Sequence, residues 1–345
     1  MAGARDIAFV GLGHMGGPMA ANLVRAGHRV RGFDLSAASL AAAAEAGVRP
    51  AASAAEAAAT AQVVITMLPA GRHVLALYQE EGLLAAARPG TLFLDCSTID
   101  VTDARRAHQA AGAAGHRALD APVSGGVVGA EAGSLTFMVG GGEEEFAAAQ
   151  PLLAAMGGKV VHCGAAGAGQ AAKICNNMIL GVSMIAVSEA FVLGESLGLS
   201  HQALYDVAAT ASGQCWALTT NCPVPGPVPT SPANRDYRPG FAAPLMAKDL
   251  GLAADALRAA GIPAELGVRA AELYAGYAAD GGADRDFSGI VETLRRRPAD
   301  SAPRAAEPAT SGPHTDSAHP GSAHTNSAHP DTRYPDAHHE ERNGT

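Results

Sequence analysis

"DIAFVGLGHMGG", residues 6–17, decides the fold. An apolar, β-rich run ends at Gly11; Gly13 and Gly16 then complete a G-x-G-x-x-G just before the helix-forming "PMAANLVRAG" (18–27). In the order strand, glycine turn, helix, the first glycine permits a tight turn and the second lets backbone approach a pyrophosphate. The third allows helix to pack on strand. The loop Gly11, Leu12, Gly13, His14, Met15 and Gly16 is therefore the expected cofactor turn. The next strand, "RVRGFD" (29–34), ends at Asp34, near the spacing of about 20 residues at which an acid meets the ribose. A carboxylate there accepts hydrogen bonds from both ribose hydroxyls and repels a 2′-phosphate, which favours NAD; Arg31 close by keeps NADP as the alternative.

Outward from this unit, β-rich runs at 63–68, 91–96, 117–123, 135–141 and 159–164 alternate with alanine-rich stretches such as "SLAAAAEAG" (39–47). That alternation predicts an α/β fold: a Rossmann-type, doubly wound parallel sheet with helices on both faces. After Gly169 the pattern changes. From Ala171 to about Leu197 there is no proline and apolar residues fall on every helical face, predicting a helix roughly 40 Å long that has to be enclosed by protein. It links the sheet to an all-α C-terminal domain, with further helices at about 200–212, 243–260 and 264–279 and a proline-rich loop at 221–240. The expected domains are 1–164, nucleotide-binding, and 165–297, helical. A tail at 298–345, where Ser-Ala-His recurs at 317, 322 and 327, holds too little apolar surface to order itself and offers at most loose metal binding.

Composition bounds the function. A chain of 345 residues with 48% hydrophobic and 17% charged residues holds enough apolar material for two globular domains. A formal net charge of −9 lacks the broad positive field that holds nucleic acid. Five cysteines without a CxxC pair suggest neither a disulfide framework nor a zinc ribbon and fit a reducing cytoplasm. The N-terminal apolar run, beside Asp6 and broken by glycines, is unlike a secretory signal. Residues 178–194 carry Glu189 and are short for a bilayer, so they read as a buried helix and not a membrane span. His14, His73, His108 and His116 have no zinc spacing, and no metal is expected.

The chain spells its positive charge with arginine and keeps lysine only at Lys159, Lys173 and Lys248. In "AGAGQAAKICNNMI" (166–179), Lys173 and Asn177 are i and i+4, on one helix face and able to reach the same substrate atom, whereas Asn176 points to another side. Burial lowers an ammonium's pKa, as does a positively charged nicotinamide, so such a lysine exchanges a proton near neutrality. Arginine cannot, which marks Lys173, and by the same reasoning Lys248, against the ordinary alternative of a snorkelling lysine. Lys159, before a strand, reads as a surface residue. A second loop, "DAPVSGGVVGAEAG" (120–133), sets Ser124 beside Gly125 and Gly126, which suits either a small carboxylate or a plain flexible turn.

With "GLGHMGGPMAANL" (11–23), "DAPVSGGVVGAEAGSLTFMVGG" (120–141), "GAGQAAKICNNM" (167–178) and "KDLGLA" (248–253), residues 5–296 resemble the β-hydroxyacid dehydrogenase family. The resemblance implies Lys173 as catalytic acid/base and Asn177 as orienter of the substrate hydroxyl, with Ser124, Gly125 and Gly126 holding the carboxylate. It further implies that Leu68 and Pro69 contact the cofactor, that Thr98 lies near the nicotinamide ribose, and that Lys248 closes the site. Asp286, Phe287 and Ser288 look like a family element beside the active site, whereas His73 stands where the family often has asparagine and is left out of the cofactor set. The segment 212–226, with the single Trp216, resembles the hydroxyisobutyrate branch. The implied activity is NAD-linked oxidation of (S)-3-hydroxyisobutyrate to methylmalonate semialdehyde, a step of valine breakdown. Reduction of tartronate semialdehyde, glyoxylate or succinic semialdehyde is the alternative. The apolar central helix implies a homodimer or homotetramer, with a small hydroxyacid as the other partner.

Overall fold

In the computed structural model, which describes residues 3–296, β1 (Asp6–Val10) lies inside the sheet because its alternate residues feed two different cores. Ile7 and Phe9 pack with α1 (Gly16–Arg25), beyond which the chain forms β2 (Arg29–Phe33), α2 (Ala37–Glu45) and the short β3 (Arg49–Pro50). Ala8 and Val10 face α3 (Ala54–Ala58). Then follow β4 (Val63–Thr66), α4 (Gly71–Gln79), α5 (Leu83–Ala86), β5 (Leu92–Asp95), α6 (Val101–Ala113) and β6 (Arg117–Asp120). Strands β1, β4 and β5 are buried on both faces, which explains why they read as unbroken apolar runs. Phe9 and Phe93, fully enclosed on opposite faces, each contribute about 1.5–3 kcal/mol by burial.

Strand order is β3-β2-β1-β4-β5-β6, all parallel. Beyond β6 the sheet departs from the parallel expectation. The run expected as one strand over 117–123 is split, with Pro122 between β6 and β7 (Val123–Ser124). After α7 (Gly126–Ala132), strand β8 (Leu135–Gly140) runs antiparallel to both. The link 125–134 is shorter than the dozen or more residues that a parallel crossover needs, so the chain turns back. The longer link through α8 (Glu143–Met156) restores a parallel pairing of β8 with β9 (Gly157–Gly164).

The long helix is present as α9 (Ala168–Ser196), followed by α10 (His201–Ala208), α11 (Trp216–Thr219), α12 (Ala243–Ala260), α13 (Glu265–Ala279) and α14 (Ile290–Arg296). The helix expected over 200–212 ends at Ala208. Met184, Phe191, Leu250, Tyr274 and Phe287 form a third core where α9, α12 and α13 meet. Contrary to the expectation from its sequence, helix α9 is not enclosed all round by the described residues: Cys175, Ile179, Ala186 and Leu193 are exposed along one stripe. Its apolar faces exceed what the described chain covers. The expected tail at 298–345 lies outside the described residues.

Candidate active site

The site assembles where the parallel strands end, the edge at which open α/β sheets bind ligands. The turn after β1 is formed as its glycines require. Gly11 has φ +91°, and a Cβ on Gly16 would stand 1.9 Å from the Gly11 carbonyl oxygen. Around Gly13, by contrast, nothing lies within 4 Å of where a Cβ would stand. This is the open backbone that a pyrophosphate needs. Ser36, Ser53 and Asp100 cap α2, α3 and α6 with their side chains. Helix α1 has no side-chain cap and no acid in its first turn, and although its Gly17 N–H donates to the Gly13 carbonyl (3.0 Å), its positive end faces the turn, where it favours an anion.

Asp34 bridges this turn: its Oδ2 accepts from the Leu12 N–H (2.6 Å) and its Oδ1 from the Ser36 N–H (2.7 Å). A carboxylate has about four lone-pair positions, so both oxygens can still take a ribose hydroxyl. The Leu12 side chain lies in the core and its N–H donates to Asp34. His14 is exposed on the loop and Met15 half-buried. These residues fit a dinucleotide.

Next along the crest, Leu68 is half-buried and Pro69 exposed. The Leu68 N–H donates to Ser97 Oγ (2.8 Å), which donates to Asp95 Oδ1 (2.6 Å); Thr66 Oγ1 donates to the same oxygen (2.8 Å). Asp95 is buried at the end of β5 with its Oδ2 unpartnered, and desolvation pushes its pKa up to about 6 against the opposing hydrogen bonds. Thr98 follows, half-buried. On the sheet side, Ser124 is half-buried at the end of β7, while Gly125 (φ +136°) and Gly126 (φ +61°) adopt backbone that favours glycine. A Cβ on Gly126 would meet the Gly240 carbonyl oxygen at 2.9 Å, so the 221–240 loop abuts this turn. Asp286 holds that loop, accepting from the Gly240 and Phe241 N–H groups (3.0 Å each).

Lys173 is 6% exposed, and its Nζ makes no hydrogen bond or ion pair among the described residues. Burial lowers its pKa below the ordinary lysine value; Asp249 opposes that shift and Lys248 adds to it. Asn177, equally buried on the same face, donates through Nδ2 to Asp249 Oδ2 (2.6 Å). Asn176 is exposed and its Nδ2 donates to Asn177 Oδ1 (3.0 Å). Lys248 reaches across from α12, donating to the Thr98 carbonyl (2.9 Å) and pairing with Asp249 at 3.4 Å. It is a charged clamp, unlike the unpartnered Lys173, and Lys159 is exposed.

Asp249 is a site residue that the sequence did not single out. Met246, Asp249, Leu250 and Ala253 are the buried stripe of α12, so an acid at that helical spacing was the available signal. Among the described residues no group of His, Cys, Asp and Glu is arranged to hold a metal ion.

Residues 6–164 match the family model described as the NAD binding domain of 6-phosphogluconate dehydrogenase. Residues 167–294 match the model described as NAD-binding of NADP-dependent 3-hydroxyisobutyrate dehydrogenase. A probable 3-hydroxyisobutyrate dehydrogenase of Mycobacterium tuberculosis is 61% identical over 291 residues, covering 84% of this chain and 98% of that protein. An NAD-dependent L-serine dehydrogenase of Pseudomonas aeruginosa is 50% identical over 291 residues, with 84% and 97% covered. Among solved structures, that of Mycobacterium tuberculosis 3-hydroxyisobutyrate dehydrogenase with L-serine superposes with a TM-score of 0.82 at 60% identity, over 85% of this chain and all of that one.

Proposed function

The chain belongs to the 3-hydroxyisobutyrate dehydrogenase family, and on that premise we propose that it oxidises (S)-3-hydroxyisobutyrate to methylmalonate semialdehyde with NAD, using Lys173 as general acid/base. It is an oxidoreductase whose sheet-bearing half is an NAD-binding domain. The observation that carries the finer reading is a buried, unpartnered Lys173 one turn from Asn177.

Bound at the glycine turn, NAD supplies the acceptor for the hydride leaving the alcohol carbon. Neutral Lys173 takes the hydroxyl proton. Asp249 fixes the Asn177 amide and leaves one of its N–H groups to donate to the substrate hydroxyl. The Ser124 hydroxyl and the Gly125 and Gly126 N–H groups hold the carboxylate, and Lys248 ties α12 to the Thr98 loop over the site. Enclosing the reacting groups excludes water and makes their alignment effective.

L-serine is the second reading, because the Pseudomonas relative carries that activity in its name. It differs from hydroxyisobutyrate by an ammonium in place of a methyl, and a buried ammonium needs an acceptor. The buried carboxylate beside Lys173, Asp249, is already engaged by Asn177 and Lys248, which favours the methyl. Reduction of tartronate semialdehyde, glyoxylate or succinic semialdehyde with NADPH is the remaining alternative. The proposal extends to a place in valine breakdown, a cytoplasmic location without membrane or nucleic-acid partners, and assembly as a homodimer or homotetramer.

The test is NADH formation from (S)-3-hydroxyisobutyrate, L-serine, D-glycerate and 4-hydroxybutyrate with each nucleotide, for the wild type and Lys173→Ala. Preferred turnover of hydroxyisobutyrate with NAD, lost in the variant while NAD binding persists, is the expected result. Preference for L-serine would replace the substrate and keep the mechanism; full activity in the variant would remove Lys173 from it.

A further inference from the structure

Gln170 stands one helical turn before Lys173 and is fully enclosed. A buried amide is costly unless its donor and acceptor are both used, and here each goes to the same short segment. Oε1 accepts from the Ile99 N–H (3.1 Å) and Nε2 donates to the Ser97 carbonyl (2.7 Å). The two bonds straddle Thr98, whose own carbonyl receives Lys248. A single bond would allow the segment to pivot; two bonds from one planar amide fix its rotation as well as its height on the helix.

The Gln170 side chain is not what starts the helix. Asp120, at the end of β6, does that by accepting from the Gly167 N–H at Oδ1 (2.7 Å) and the Gln170 N–H at Oδ2 (2.9 Å). The amide is therefore free for a different task. Ser97 continues the chain of bonds in the other direction, to Leu68 and Asp95. The result is one buried path from the loop holding Leu68 and Pro69, through Ser97, to the helix turn that carries Lys173.

We propose that Gln170 is a positioning residue for the reaction: its side-chain amide locks the Thr98 segment in register with Lys173 and so aligns the cofactor end of the site with the base. This rests on the function proposed above and on the family resemblance, which implies that Thr98 lies near the nicotinamide ribose.

Two variants separate this role from packing. Gln170→Met keeps most of the volume and removes both hydrogen bonds. Gln170→Glu reproduces both when protonated, its O–H donating to the Ser97 carbonyl and its C=O accepting from Ile99, and loses the donor when ionised. The ionisable groups around this position are Asp120 from β6, Asp95 from β5, Lys173 on the same helix, Lys248 from α12 at the Thr98 carbonyl, and Arg105 from α6, whose Nε reaches the Ala166 carbonyl. With desolvation, the two acids oppose ionisation and the three bases favour it.

The Met variant should lose roughly 10- to 100-fold in kcat, the scale of a misplacement of about 1 Å, with KM for NAD and hydroxyacid unchanged. The Glu variant, expressed as a ratio to wild type at each pH, should match wild type at the acid end and fall toward the Met variant as pH rises. Wild-type kcat in the Met variant, whatever its melting temperature, would overturn the proposal, as would a loss confined to KM for NAD. If the wild type turned over no hydroxyacid, the functional reading would fail, and amide hydrogen exchange would still decide this one. Ile99 N–H protection should be lost in the Met variant and kept in the Glu variant at low pH; unchanged protection in the Met variant would overturn it.

Discussion

Lys173 sits between two charges of opposite effect, and its titration reads both. Burial and Lys248 favour the neutral amine, whereas Asp249 favours the ammonium. Because the proposed base works unprotonated, the rate of alcohol oxidation should rise with pH through the lysine's lowered pKa. Asp249→Asn, which keeps an acceptor for Asn177, should move that limb to lower pH, and Lys248→Met should move it higher; pH–rate profiles of the two variants check the opposite signs. The same shift enters stability. The unfolded lysine holds its proton up to about its ordinary pKa, so between the folded value and that one the unfolded chain binds more protons, and stability rises with pH there. Below that window the penalty is complete, at about 1.4 kcal/mol for each unit of lowering. Lys173→Met should therefore be inactive yet more resistant to urea at neutral pH than wild type, with the gap closing in alkali. Lys173 and Lys248 both stood out in a chain that otherwise avoids lysine; Asp249, the opposing charge, did not, because it comes from another helix and acids are common in this chain.

At the scale of elements, the β1–α1 turn separates glycines that the packing requires from one that the packing does not. A methyl group at Gly16 collides with the Gly11 carbonyl, whereas one at Gly13 meets open space. Gly16→Ala should lower the melting temperature and weaken NADH binding together. Gly13→Ala should melt like wild type and lose NADH affinity, as read by calorimetric titration; equal affinity would place the pyrophosphate elsewhere. The strand–turn–helix order made this unit legible, since local spacing alone dictates it. The reversal at β8 was not, because an apolar run carries no record of its direction. Gln170 escaped for a related reason: on a helix apolar on all sides, periodicity does not reveal which face is buried.

For the whole molecule, the open stripe of α9 is the feature that the described chain leaves unfinished. Ile179 is 65% and Leu193 59% exposed, with Leu197, Leu199, Val207 and Leu266 also exposed in the helical half. Exposed apolar surface of this kind fits the proposed self-association, for which a stable interface buries about 800 Å² on each partner. Sedimentation should give a dimer or tetramer, and Ile179→Glu combined with Leu193→Glu should reduce its mass; a wild-type monomer would end that proposal. What the sequence by itself determined were the features written in local spacing and composition: the glycine turn with its terminal acid, the sheet-then-helix order, and a lysine in a helix of a chain that otherwise uses arginine. Only the tertiary structure decided which faces are covered, that β8 runs backwards, and that Asp249, Lys248, Thr98 and Gln170 converge around Lys173. The physical reason is that burial and charge coupling depend on distances through space, and residues such as Thr98 and Lys248, remote along the chain, meet only when the crest of the sheet and the helices close on one another.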